Sequence, residues 1–360
     1  MSARSSIHPA WLERSDATPL QRVVLAPLSA LACCYDAVTH LRRAAYVRGF
    51  LHSTRLPCRV VSVGGLTAGG SGKTPFAAWL AAALRRRGHR VVLASRGYRR
   101  RGRGPVTVVS DGERLYAGVD AAGDEPFWLA ARVPGVPVLV GSDRVALGLR
   151  ALSSYNAEIL LLDDGFQHLR LARDVDIVLI DSAAPFGNGY TLPRGLLREN
   201  PHALASAHSI GVLGGTLSEE DAARVTALAP VAFRFCVRKR AVGLRALGGG
   251  TLEQPEKLAG TEVGVLCGIA KPASLLRSVE ELGARVVAER RFPDHHRYRA
   301  RDLSGLAAEV PLWITTEKDA VKLAPEWLGE AELRVLCIEL EVENAERFLL
   351  WLEECLQRAY

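Results

Sequence analysis

The chain predicts an α/β fold: a mostly parallel sheet with helices on both faces, a smaller second α/β domain, and an N-terminal amphipathic helix. Three observations carry that expectation. Short β-branched runs alternate with helical stretches, the pattern of strands buried on both faces. The alternation pauses near residue 230 and then restarts. At 360 residues, 48% hydrophobic and 24% charged, the chain is long and apolar enough for two cores.

The first element is the N-terminal helix. From Val23 to Leu51 the chain is apolar-rich, with Leu28, Leu31, Tyr35, Val38 and Leu41 at helical spacing and Arg42, Arg43, Arg48 and Arg55 following. Pro27 and Asp36 interrupt it, so the uninterrupted run of ~20 apolar residues that a membrane span needs is absent. An amphipathic helix lying in a membrane interface fits better, with its arginines toward anionic headgroups. A helix packed on its own domain is the plainer alternative. Seven cysteines form no C-x-x-C pair, which points to reduced thiols. The net charge of +7 suits an anionic partner without choosing among nucleotide, nucleic acid and acidic lipid.

Next comes a phosphate-binding loop, Gly64-Gly65-Leu66-Thr67-Ala68-Gly69-Gly70-Ser71-Gly72-Lys73-Thr74-Pro75. It follows the apolar run Val60, Val61, Val63 and precedes a helical pattern carrying Phe76, Leu80 and Leu84. Glycines let the backbone curl so that successive N–H groups point at one anion, and the helix N-terminus adds its dipole. Lys73 would reach the β- and γ-phosphates and Thr74 would hold Mg²⁺. Thr67 stands where the strict motif places glycine. The strand–loop–helix context makes the expected sheet P-loop NTPase-like, binding ATP through Thr67, Ala68, Gly69, Gly70, Ser71, Gly72, Lys73 and Thr74. Such a loop needs cytosolic nucleotide, which argues against reading Leu31-Ala32 before Cys33-Cys34 as an export signal.

Strands are expected at 58–63, 90–95, 106–110, 136–140, 158–162, 176–181 and 208–213. The helix after the loop should run from Pro75 to Arg87, closed by Gly88. Val231–Val237 and Gly243–Leu247 read as extended connections. A second alternation follows: strand 262–267, helix 272–283, strands 285–291, 311–315 and 333–340, and a last helix from Ala345 to Ala359. The expected division is a membrane-interface helix at 1–55, a nucleotide-binding domain at 56–230 and a smaller domain at 231–360, with the substrate in the cleft between the last two.

Ile159-Leu160-Leu161-Leu162-Asp163-Asp164-Gly165-Phe166-Gln167-His168 is a buried strand ending in two carboxylates, where phosphate-loop enzymes organise Mg²⁺. Asp163 and Asp164 are the metal candidates, with Gln167 at the same corner. Gly123-Asp124-Glu125-Pro126 offers an acidic pair at a helix start. Asp124 is either a cap or a carboxylate that accepts the proton of an attacking hydroxyl. Phe292-Pro293-Asp294-His295-His296 places two histidines in a loop of the second domain, either plain surface residues or a catalytic or orienting imidazole. Ser95-Arg96-Gly97-Tyr98-Arg99 and Leu192-Pro193-Arg194-Gly195-Leu196-Leu197-Arg198-Glu199 are further anion-contacting loops or solvated charge runs. Thr315-Thr316-Glu317-Lys318-Asp319 lacks the spacing of N-K-x-D, so a preference for GTP has no support. No aromatic residues interleave with the basic runs, which argues against nucleic acid.

Together, and in this order, these motifs resemble the tetraacyldisaccharide 4′-kinases, the lipid A 4′-kinases of Gram-negative bacteria, over nearly the whole chain. Asp163-Asp164-Gly165-Phe166-Gln167-His168 is the most specific of them. The family loop also carries threonine at position 67, while Gly65, Ser71 and Arg194 are small departures. The resemblance implies transfer of the ATP γ-phosphoryl group, with Mg²⁺, to the 4′-hydroxyl of a tetraacyldisaccharide 1-phosphate, giving lipid IVA at the cytoplasmic face of the inner membrane. It also implies a catalytic pair of Asp124 as base and His295 orienting it, meeting when two domains close. Lys73 would neutralise charge on the transferring group, and Thr74, Asp163, Asp164 and Gln167 would serve the metal. The rivals are a phosphate-loop enzyme acting on a soluble small molecule and a nucleotide-regulated membrane adaptor. Neither requires both the apolar helix and the paired Asp124 and His295.

Overall fold

A computed structural model describes residues 24–70, 72–102 and 104–358. In chain order these form α1 (Ala26–Val47), β1 (Arg59–Gly65), α2 (Lys73–Arg86), β2 (Val91–Ser95), β3 (Thr107–Ser110), α3 (Asp124–Arg132), β4 (Val138–Val140), α4 (Arg144–Tyr155), β5 (Ile159–Asp163), β6 (Val175–Asp181) and β7 (Ser209–Leu213). There follow α5 (Glu219–Leu228), β8 (Phe233–Ala246), β9 (Glu262–Cys267), α6 (Pro272–Glu281), β10 (Arg285–Arg291), β11 (Leu312–Thr316), β12 (Glu332–Val342) and α7 (Ala345–Arg358), with short helical turns between.

All twelve strands join one sheet, ordered β10-β9-β11-β12-β8-β7-β6-β1-β5-β2-β4-β3. Pairing is parallel except at β12·β8 and β3·β4. The two extended connections expected at 231–237 and 243–247 are instead one strand, β8. Its first residues pair parallel with β7, and its remainder pairs antiparallel with β12. The sheet therefore runs unbroken from one half of the molecule to the other.

Alternating side chains set the layers. Val61, Val63, Leu93, Leu161 and Ile177 face α2, α3 and α7, while Val60, Val92, Leu160 and Leu162 face α4, and Val178, Ile180 and Ile210 face α5. Beyond β8, Val263, Val265 and Ile314 pack on α6, while Leu266, Trp313 and Leu333 pack on the turns around Leu303 and Leu306. One element crosses over: α7 packs on the nucleotide-loop half. Its Phe348 ring lies 4.4 Å from Phe235 and 6.1 Å from Phe76 between centroids. Arg87 forks onto Glu353, both bonds at 2.8 Å.

β1 lies between β5 and β6, and the chain reverses its direction of winding there. A crevice opens at such a switch point beyond the strands' C-terminal ends, and both the phosphate loop and the Asp163-Asp164 corner sit at it. Gly64 permits their close approach, because a Cβ there would lie 2.4 Å from the Phe166 Cβ and 2.9 Å from its backbone nitrogen. Gly64→Ala should therefore cost about 1–3 kcal/mol by overpacking, read as a lower denaturant midpoint. An unchanged midpoint would show that this junction is soft.

Candidate active site

The loop from Leu66 to Thr74 is stitched to the 190s segment. Ala68 N–H donates to the Leu196 carbonyl at 2.7 Å, and Arg198 N–H donates to Leu66 at 2.7 Å. Thr67 bridges Leu197. The N–H of Ala68, expected to face phosphate, is thus engaged by backbone, and Thr67 acts as the stitch. Ser71 lies outside the described residues. Gly72 caps α2 with φ +71°, and a Cβ there would meet Leu213 at 2.6 Å, so only glycine fits. Gly69 also has a positive φ.

Lys73 is buried at the head of α2 and reaches the Gly69 carbonyl at 3.3 Å and Asp164 at 3.6 Å. Burial pushes its ammonium below the ordinary value, with Asp164 opposing. The neighbouring carboxylates separate in role. Asp163 is 1% exposed, and its Oδ2 accepts from Ser95 at 3.2 Å and Thr74 at 3.4 Å. Asp164, at φ +54°, accepts from Arg198 at 2.7 Å. Burial, then Glu125 and Asp164, push the Asp163 carboxyl up to about 7.

Those features suit Mg²⁺. The Asp163 Oδ1 is buried without a hydrogen-bond partner beside the Thr74 hydroxyl, and the raised pKa marks an anion short of positive charge. Among the described residues no group of three or more His, Cys, Asp or Glu is arranged to hold a metal alone. Mg²⁺ takes few protein ligands and keeps its remaining sites for phosphate and water. Gln167, expected at the metal, donates its Nε2 to the Gly65 carbonyl at 2.9 Å and to Glu199 at 3.4 Å, while its Oε1 is buried without a hydrogen-bond partner.

The opposite wall comes from the second half. His295, held at φ +62°, places Nδ1 3.0 and 2.8 Å from the two Asp124 carboxylate oxygens. Asp124 is the first residue of α3 and 7% exposed, and it makes no side-chain cap bond. Two lysines missed in the sequence complete this wall. Lys318 Nζ donates to Glu125 and Asp294, both at 3.1 Å, and lies 3.5 Å from His295 Nε2. Lys322 bridges Asp319 at 2.9 Å and Asp124 at 3.6 Å. Burial opposes ionisation of Asp124, but His295, through its hydrogen bond and its charge when protonated, and then Lys318 and Lys322 hold its carboxyl down at about 2. The signal for Lys318 lay in Thr316-Glu317-Lys318-Asp319, one of the motifs that carry the family resemblance but read for chemistry only as a guanine-recognition candidate, and Lys322 lay four residues beyond. His296 is structural, bonded to Asp302 at 3.0 Å and stacked on Phe292.

Glu125 joins the two walls, since it pairs with Lys318 and raises the Asp163 carboxyl. A buried lysine at a helix N-terminus, a hydroxyl–carboxylate pair and a facing carboxylate–imidazole pair form one cleft, and these are the parts of a phosphate-loop phosphotransferase. Residues 21–357 match the Tetraacyldisaccharide-1-P 4′-kinase family. A tetraacyldisaccharide 4′-kinase of Syntrophus aciditrophicus is 39% identical over 97% of both chains. One of Anaeromyxobacter dehalogenans is 42% identical over 92% of this chain and 90% of its own. A solved structure of LpxK from Aquifex aeolicus in complex with ATP superposes with a TM-score of 0.74 at 30% identity, covering 93% of this chain and 99% of that one. The chain belongs to the tetraacyldisaccharide 4′-kinase family.

The depressed Asp124 carboxyl has a stability consequence. Its folded pKa, about 2, lies below the unfolded value near 3.8, so its contribution is present above pH ~4 and is lost as pH falls toward 2. Asp124→Asn should lower stability at pH 7 by on the order of 2 kcal/mol, the gap to wild type narrowing in melts below pH 4. A gap independent of pH would place the loss in packing.

Proposed function

We propose that this chain transfers the γ-phosphoryl group of ATP to the 4′-hydroxyl of a tetraacyldisaccharide 1-phosphate, forming lipid IVA in lipid A biosynthesis. The observation that carries the reading is the Asp124–His295 pair facing the phosphate loop, in a chain of this family. Asp124 stands as the group that orients the acceptor hydroxyl and takes its proton. A carboxylate of such low basicity suits phosphoryl transfer, where the transition state is loose and positioning and charge stabilisation supply most of the rate. Lys73, with Arg198 beside it, faces the charge that develops on the transferring group. Thr74 and Asp163 are the residues that would hold Mg²⁺, which when bound neutralises phosphate charge. Asp164 keeps Arg198 and Lys73 in place, and Gly69, Gly70 and Gly72 leave backbone room for phosphates.

His295, Lys318 and Lys322 come from the half beyond β8, whereas Asp124, Glu125 and Lys73 come from the half before it. That division supports the reading of a nucleotide-binding domain at 56–230, a smaller domain from 231, and a site built from both.

The acceptor's acyl chains require a visit to the membrane, and α1 supplies the surface. No described helix is long and apolar enough to cross a membrane. Yet Val24, Leu31, Val38 and Leu41 are 56–69% exposed, along one stripe of the helix. The stripe is turned from the face expected in the sequence, because Leu28 and Tyr35 are half-buried. Arg43 does not reach outward but forks onto Glu199 at 3.2 and 2.7 Å, while Arg42 is exposed and donates to the Gln167 carbonyl at 3.2 Å. The location proposed is peripheral, on the cytoplasmic face of the inner membrane.

Labelled ATP with detergent-solubilised tetraacyldisaccharide 1-phosphate tests the activity. Wild type should label lipid, Lys73→Ala should not, and Asp124→Ala or His295→Ala should lower kcat about 10²–10⁴-fold with ATP affinity nearly unchanged. ATP hydrolysis without lipid labelling would reject this acceptor. Leu31→Ser with Val38→Ser should reduce co-sedimentation with anionic vesicles about tenfold, and unchanged partitioning would remove α1 as the contact.

A further inference from the structure

We propose that Lys318 is a positioning residue that keeps a second proton off His295, so that the ring stays neutral with its Nδ1–H on Asp124. The inference rests on the catalytic reading of the Asp124–His295 pair and adds a group that sets its protonation state.

The geometry leaves one arrangement. Nδ1 faces both Asp124 oxygens, at 2.8 and 3.0 Å, and a carboxylate only accepts, so Nδ1 carries hydrogen. Nε2 faces two groups of opposite sign, the Lys318 ammonium at 3.5 Å and an Asp294 oxygen at 3.6 Å. An ammonium has no lone pair and can only donate, so beside it Nε2 is the bare acceptor. Asp294 alone would favour a second proton on the ring. Lys318 offsets it by donating to Asp294 at 3.1 Å, and its other anchor is Glu125 at 3.1 Å, on α3 next to Asp124. Burial opposes the ammonium, but Glu125, Asp294 and Asp124 raise its pKa, so it stays charged.

The remaining neighbours are consistent. The Tyr98 ring approaches His295 edge-on at 5.4 Å between centroids and carries no charge. Arg99 is spent on the Asp294 carbonyl at 3.1 Å. Lys322 acts on Asp124 from its far side, at 3.6 Å. Lys318 is thus the cation placed to keep a proton off Nε2. The consequence for turnover follows: a neutral ring orients the Asp124 carboxylate through one hydrogen bond, whereas an imidazolium would add a further positive charge to those of Lys318 and Lys322 where the acceptor hydroxyl is to be positioned.

Histidine ¹⁵N spectra of the full chain read the state directly, with His295 assigned among the nine histidines by His295→Gln. Wild type should show protonated Nδ1 and bare Nε2 near neutral pH. Lys318→Met should move His295 toward the doubly protonated pattern and lower kcat about tenfold or more, leaving KM for ATP unchanged. Lys318→Arg should restore the wild-type pattern in part. Glu125→Gln, which loosens Lys318 without touching the pair, should give a smaller change in the same direction and serves where Lys318→Met fails to fold. A His295 spectrum unchanged in the folded Lys318 and Glu125 variants overturns the proposal, even where turnover falls. A responsive spectrum in a wild-type protein that labels no lipid supports the assigned protonation state and rejects the lipid reading instead, so the two fail separately.

Discussion

The long strand β8 is the constraint on which everything else rests. Its fourteen residues pair in parallel with β7 at one end and antiparallel with β12 along the rest. Backbone ladders tolerate little sliding, because a one-residue slip would turn every buried side chain to the opposite face. The ladder therefore relates the two halves of the sheet closely enough for Asp124 and His295, 171 residues apart, to meet at hydrogen-bond distance. The antiparallel return of β12 delivers the chain to where α7 can lay Phe348, Leu352 and Leu356 against the core of the first half. That crossing ties the chain's last helix to the nucleotide-loop half, and the ring contacts of Phe348 with Phe76 and Phe235 join it to the helix that carries Lys73.

A frame this rigid can hold charges out of water. Removing an ion from water is expensive unless a partner stays in place. Around Asp124 the signs alternate: Lys318 and Lys322 interleave with Asp124, Glu125, Asp294 and Asp319, with the His295 ring between them. Asp319 is fully buried, and it accepts from Gly268 N–H at 3.0 Å and from Lys322 at 2.9 Å. Asp163 departs from this pattern. Its bonds are to hydroxyls, and its carboxyl rises to about 7. One corner of the cleft is neutralised within the protein and preorganised, while the other is left short of a cation, which is the division expected where a metal-bound nucleotide must enter.

The N-terminal helix follows the same economy of polar contacts. Its inner side is fastened by Arg43 to Glu199, by Asp36 accepting from Asn200 at 3.0 Å, and by the Thr191 hydroxyl on the Ala32 carbonyl at 2.9 Å. Arg194 bonds Ser29 and stacks 4.0 Å over Tyr190. Between these fastenings the helix exposes a stripe of aliphatic side chains, Leu31, Val38 and Leu41, beside the exposed His40 and Arg42. A helix held to its protein by polar bonds and bare on its apolar side is suited to an interface rather than to the core.

Period and local chemistry were enough for the elements and the phosphate loop. A strand buried on both faces reads as an apolar run whatever it pairs with, and Gly72-Lys73-Thr74 works through adjacent backbone, so both are visible along the chain. Asp163 and Asp164 were legible as a pair because a strand end projects them together, although their separate roles were not. Lys318 and Lys322 were invisible for the opposite reason. An ammonium acquires a function only from what faces it, and Glu125, Asp294 and His295 face Lys318 only once β8 has brought the halves together. The same holds for the outward side of α1: helical spacing announces an apolar stripe, but which way it turns is decided by the hydrogen bonds of Arg43, Asp36 and Ala32 to residues more than 150 positions away. Sequence alone determined what is local, namely the elements and the chemistry of each loop. Tertiary structure decided the charge partners, because electrostatic and hydrogen-bond energies depend on distance in space and not on distance along the chain.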